Sequence, residues 1–138
     1  MRVLPRWMTR LLRFAGTFNL LAGTCMVCLY RPGFDLLGVP QDQLGLPVQM
    51  MGFFVILFGA GYHWTASHPI ENKNVLVLGC WSKTLGTMLG LGYVALGQLP
   101  WWFVPVVLAA DAVYVPPFLV ILRRIDQAAD EARRAAGR

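Results

Sequence analysis

Two opposite charges stand inside otherwise apolar stretches of this chain: Lys83, amid Gly79, Gly86 and Gly90, and Asp111, between Trp101 and Leu122. A charge at the centre of a bilayer costs at least about 2.5 to 3.5 kcal/mol, so intramembrane charges face inward and often mark ligand sites, ion paths or proton relays. Asn19, somewhat nearer the cytoplasmic side, can add a hydrogen bond, and Tyr114 lies one helical turn from Asp111. Lys83, Asp111, Asn19 and Tyr114 are therefore the candidate site. The competing reading is a structural pair that fixes how helices pack. A relay needs ionisable groups reaching both surfaces, and toward one of them only Gln49 continues the series, which tips the balance slightly to structure.

Three other patterns could carry chemistry. Cys25-Met26-Val27-Cys28 is a C-x-x-C that could exchange thiols in an oxidising compartment. A quinone-linked relay needs a second cysteine pair, and the remaining cysteine is Cys80 alone, so buried small apolar residues are the stronger reading. His63 and His68 lie five residues apart on one segment, which suits neither a bis-histidine haem nor a helix-borne zinc site. His63 alone could serve as axial ligand to a haem or chlorophyll-type pigment, although a polar residue at headgroup level is the favoured reading. No nucleotide-binding loop, paired carboxylates, catalytic triad or metal cluster is visible. The expectation is a protein that is not an enzyme, with no metal and no cofactor, leaving open contact with lipid, pigment or haem at an interface.

The elements that must position these residues follow from composition. The chain has 138 residues, 57% of them hydrophobic and 14% charged, against about a quarter charged in a soluble domain. So small a chain has much surface for its volume and could not cover it in water. The apolar residues gather into four runs, near 12–30, 48–66, 75–96 and 101–122. Each approaches the ~20 residues a helix needs to cross ~30 Å of hydrocarbon, and long apolar segments there are helical because every backbone polar group must be satisfied internally. The expected fold is all-α: a polytopic membrane protein, a single domain forming a four-transmembrane-helix antiparallel bundle. Its short C-terminal tail, 123–138, should extend the last helix into the cytoplasm.

Spacing of three and four residues assigns the packing faces: Gly16, Asn19 and Gly23; Gly52, Gly59 and His63; and Gly79, Lys83, Gly86 and Gly90. Lys83 should lie about 13 Å into the third span and Asp111 about 16 Å from the same side, so the two should pair. Pro116 and Pro117 lack backbone donors, which should free carbonyls near Ala112 and Val113 and kink the fourth span.

Positive residues are retained on the cytoplasmic side. Arg2, Arg6, Arg10 and Arg13 precede the first span, Lys73 lies between the second and third, and Arg123, Arg124, Arg133, Arg134 and Arg138 follow the fourth, while only Arg31 falls on the other side. Both termini are expected in the cytoplasm, and the first span is expected to be retained, because no small-x-small cleavage site follows it. The basic residues serve topology and can rest on anionic lipid; nucleic acid is not an expected partner. The longest loop, 31–47, should turn at Pro32-Gly33 and lay Phe34, Leu36, Leu37 and Val39 on the membrane surface.

Phe18-Asn19-Leu20, Gly38-Val39-Pro40, Gln49-Met50, Gly59-x-Gly61-Tyr62, Pro69, Gly79, Lys83, Leu99-Pro100-Trp101, Asp111 and Pro117-Phe118 form a series of short motifs. Through them the chain resembles a family of small four-helix bacterial inner-membrane proteins, mostly without an assigned function. It is similar to DoxX-type proteins only in gross layout. The resemblance implies the fold, a multi-pass place in the bacterial inner membrane and the Lys83 and Asp111 positions, and no activity. Relatives often carry an Asn-Asp pair and tryptophans where this chain has Ala110-Asp111 and Tyr114.

The expected function is that of a non-catalytic accessory or scaffold subunit of a larger membrane complex, respiratory, photosynthetic or transport, with lipids and other subunits as partners. The alternative is a small transporter or ligand-binding protein using Lys83 and Asp111. A membrane thiol or quinone oxidoreductase built on Cys25 and Cys28 is a distant third.

Overall fold

The computed structural model describes residues 3–38 and 45–136, and every regular element among them is helical. In chain order these are α1 (Arg6–Cys28), α2 (Tyr30–Leu37), α3 (Gly45–Ser67), α4 (Lys73–Ala95), α5 (Phe103–Ala110), a 3₁₀ turn (Ala112–Tyr114) and α6 (Val115–Ala136). Four segments are long and apolar enough to cross a membrane: α1, α3, α4 and the run Phe103–Ala136 taken across the 3₁₀ turn. The helices overrun the apolar stretches at several ends, because hydrogen bonding continues where hydropathy stops. Thus α1 begins at Arg6, six residues before its apolar run, and α6 carries the charged tail as far as Ala136.

The expected turn at Pro32-Gly33 is instead part of α2. Pro32 falls in the first helical turn, where backbone N–H groups have no intrahelical acceptor, so the missing donor costs nothing. The turn comes at Gly38, whose φ of 65° is left-handed and whose N–H donates to Asp35 O at 3.3 Å. Phe34 is buried and Leu36 exposed, while Val39 and the Leu37 side chain lie outside the described residues.

α1 and α3 meet backbone to backbone. A Cβ placed on Gly16 would lie 2.9 Å from Gly59 O, and one on Gly59 would lie 2.8 Å from Gly16 O. Further along, a Cβ on Gly23 would come 2.5 Å from Gly52 O, and one on Gly52 would come 2.8 Å from Gly23 O. Glycine is what allows this approach, which compensates for the lack of a hydrophobic drive between helices in lipid. Gln49 Nε2 closes the far end by donating to Val27 O at 3.1 Å.

The main core draws on α1, α3, α4, the 3₁₀ turn and α6: Leu12, Tyr62, Leu76, Tyr114, Phe118, Ile121 and Ile125 are among its members. Tyr62 meets Phe118 edge to face at 5.1 Å between centroids. Gly79 makes room for the Tyr62 ring. Buried Thr65 donates to Gly61 O at 2.9 Å and reaches Asn72 O at 3.2 Å, tying the end of α3 to the turn that starts α4. The start of α4 is tied to α6 by an ion pair between Lys73 and Asp126. Both partners are at least one third exposed, so Asp126→Asn is expected to cost no more than about 1 kcal/mol. Thermal unfolding at low and high salt checks this, since the loss should vanish as salt rises.

Candidate functional site

The fourth span is broken where its sequence carries both a charge and two prolines. Pro116 and Pro117 cannot donate, and their rings clash with the carbonyls four residues earlier, so the α-helix cannot run unchanged through 112–117. α5 ends at Ala110, and Asp111 takes φ −125° and ψ −60°. Asp111 N–H still donates to Val107 O at 3.0 Å, but Tyr114 N–H turns to Asp111 O at 3.1 Å. In an unbroken helix that N–H would satisfy Ala110 O. Ala110 O is therefore left open, in addition to Val113 O, whose helical donors would be the two prolines. Ala112 O instead accepts the Val115 N–H, because the chain tightens into a 3₁₀ turn.

Lys83 fills the gap. Its Nζ donates to Ala110 O at 2.8 Å and to Asp111 Oδ1 at 3.0 Å, and stands 4.8 Å from the centroid of the Tyr114 ring, within cation–π range. Lys83 is 5% exposed, whereas the Asp111 side chain is 33% exposed. Gly86, one turn along α4, leaves space for the second carboxylate oxygen: a Cβ there would sit 3.1 Å from Asp111 Oδ2. Gly90 accommodates Val107 in the same way, at 2.8 Å. The partial negative charge at the end of α5 acts on the ammonium in the same sense as the carboxylate. The arrangement thus takes up the open carbonyl, neutralises both charges and clamps α4 to the break.

The structure brings together Lys83, Asp111 and Tyr114. Asn19 is buried in α1 next to Phe18, whose ring lies 6.2 Å from that of Tyr114. His63 is placed by α3 against α1. Its ring abuts Gly16, where a Cβ would lie 2.7 Å from Cδ2, and its Nε2 is 3.4 Å from Thr17 Oγ1. Among the described residues no group of three or more His, Cys, Asp or Glu side chains is placed to hold a metal.

Cys25 and Cys28 are exposed free thiols, not buried apolar residues; Cys80 is the buried one. The reason is helical phase. The face that continues Gly16 and Gly23 passes through Met26 and Val27, which touch the Gly52 position, and leaves the two cysteines on the opposite side of the helix. Sequence reasoning also passed over the Ala110 carbonyl and the Lys73–Asp126 pair. The first depends on Tyr114 N–H turning to Asp111 O, which the double proline does not specify, while the second joins residues 53 positions apart with no pattern to announce it.

No family model matches the chain, and neither a curated protein nor a solved structure was found to match it.

Proposed function

We propose that this chain is a non-catalytic integral membrane protein, an accessory or scaffold subunit that packs within a larger complex of the bacterial inner membrane. In this reading four spans alternate in direction, with both termini in the cytoplasm, because arginine and lysine collect at the end formed by the start of α1, the α3–α4 turn and α6. The observation that carries the proposal is the closure of the one charged constellation inside the spans. The Lys83 ammonium is satisfied by Ala110 O, Asp111 and Tyr114, and the two cavities at the basic end are not lined by Lys83 or Asp111. A transport site would instead present unsatisfied charge to an open polar cavity. The third of the Asp111 side chain left open lies at hydrocarbon depth, where cover from a neighbouring subunit is worth more than in water.

Gentle detergent extraction from native membranes, followed by size analysis, mass spectrometry and an absorption spectrum, tests the proposal. Recovery in fixed stoichiometry with larger subunits is expected. Recovery as a lone small oligomer would overturn it and move attention to solutes that engage Asp111.

A further inference from the structure

The basic end of the structure gathers more cations than carboxylates, and its α1 arginines stand apart from the ion pairs of α4 and α6. Arg6, Arg10 and Arg13 follow one another on α1 at intervals of four and three residues, so they share one side of the helix and span about 10 Å along it. With Thr9 they form one wall of an open cleft of about 880 Å³, and its other wall is the end of α3 and the following turn, including Ser67 and His68. The opposite side of the same helical turns, Met8, Leu12 and Ala15, is buried in the core, so the arginines are held toward the cleft by the packing of the helix that bears them. Among the described residues the ion pairs are Lys73–Asp126, Lys83–Asp111 and Arg124–Glu131. Among those ion pairs none involves the three cleft arginines.

We propose that this cleft binds a phosphate-bearing anion, seated by Arg6, Arg10 and Arg13 with His68 opposite. Guanidinium groups match phosphate oxygens with paired N–H donors. The cleft has the volume of a site for a headgroup-sized molecule rather than a bare ion. It also stands where the charged start of α1 gives way to the apolar run from Leu12, the level at which phospholipid phosphates lie. An acidic phospholipid headgroup is thus the source the position favours, and free phosphate shares its chemistry. The inference does not depend on the chain being a subunit, since a lone protein would keep the same cleft.

The test uses the full chain, purified and delipidated in neutral detergent, titrated with phosphatidylglycerol or phosphatidylcholine and read by native mass spectrometry. Phosphatidylglycerol should bind more tightly, and each cleft arginine replaced by glutamine should weaken it on the order of tenfold. The triple variant R6Q/R10Q/R13Q should bind the two lipids alike. Because these arginines are exposed, folding should persist, and Arg10→Gln alone provides the comparison if the triple variant does not fold. R133Q/R134Q, on the tail, should leave binding unchanged. Millimolar inorganic phosphate is added as competitor: displacement of the lipid assigns the site to phosphate as such, and failure to displace assigns it to the headgroup. Equal binding of both lipids by the unaltered chain, or loss in the tail variant but not in the cleft variants, would overturn the proposal.

Discussion

Gly23→Ala is expected to cost about 3 kcal/mol, the upper end of what an added methyl group does in a packed interior. The new Cβ would stand 2.5 Å from Gly52 O and 2.9 Å from the Ile56 backbone nitrogen. A crowded side chain can swing aside, but these neighbours are backbone, so relief requires α1 and α3 to separate along their seam. Separation would also disturb the reciprocal contacts of Gly16 and Gly59 about two turns away. Gly92→Ala is the control. Nothing lies within 4 Å of a Cβ there, and alanine is the better helix former by about 1 kcal/mol, so no loss is expected. Thermal unfolding of both variants in the same detergent, followed by circular dichroism, measures the difference. Equal midpoints for the two variants would mean that the α1–α3 seam is not the close contact described here.

The glycine faces of that seam were legible in the sequence, though not which helix meets which, because small residues at intervals of three and four on an apolar helix have few other uses. The four segments able to cross a membrane were legible for a similar reason: run length and hydropathy are local properties. The pairing of Lys83 with Asp111 followed from arithmetic on helical rise. What escaped was set by backbone hydrogen bonding or by contacts distant in sequence. Pro32-Gly33 resembles a turn, yet proline is harmless in a first helical turn, and α2 accommodates both residues. The thiols of Cys25 and Cys28 are exposed because a phase difference of one or two residues moves a side chain off a packed face. The double proline announced a break, but its position depended on which N–H groups the 3₁₀ turn would redirect. The acceptor left over for Lys83 is a main-chain oxygen that no side-chain pattern could reveal.

Lys83→Met is expected to be the most damaging single change, at about 3 to 5 kcal/mol, the usual consequence of removing one member of a buried ion pair. It strands the Asp111 carboxylate and also the Ala110 carbonyl, since both accept from the same ammonium. Asp111→Asn should cost less, about 2 to 3 kcal/mol. It leaves the bond to Ala110 O and the face of Tyr114 in place, and the carboxylate it removes is one third exposed. The double variant K83M/D111N separates the two contributions. If ion pairing alone mattered, it would recover nearly all of the loss. Because Ala110 O stays without a donor, a residual of about 1 to 3 kcal/mol should persist, so the double-mutant cycle should give strong coupling but incomplete rescue. Unfolding midpoints of the unaltered chain, both single variants and the double variant supply the four measurements. A transport site predicts a different pattern: Asp111→Asn would leave stability within about 0.5 kcal/mol of the unaltered chain and abolish solute movement instead. The break in the fourth span and the buried lysine are therefore one device, in which the prolines open a carbonyl and α4 supplies the cation that closes it.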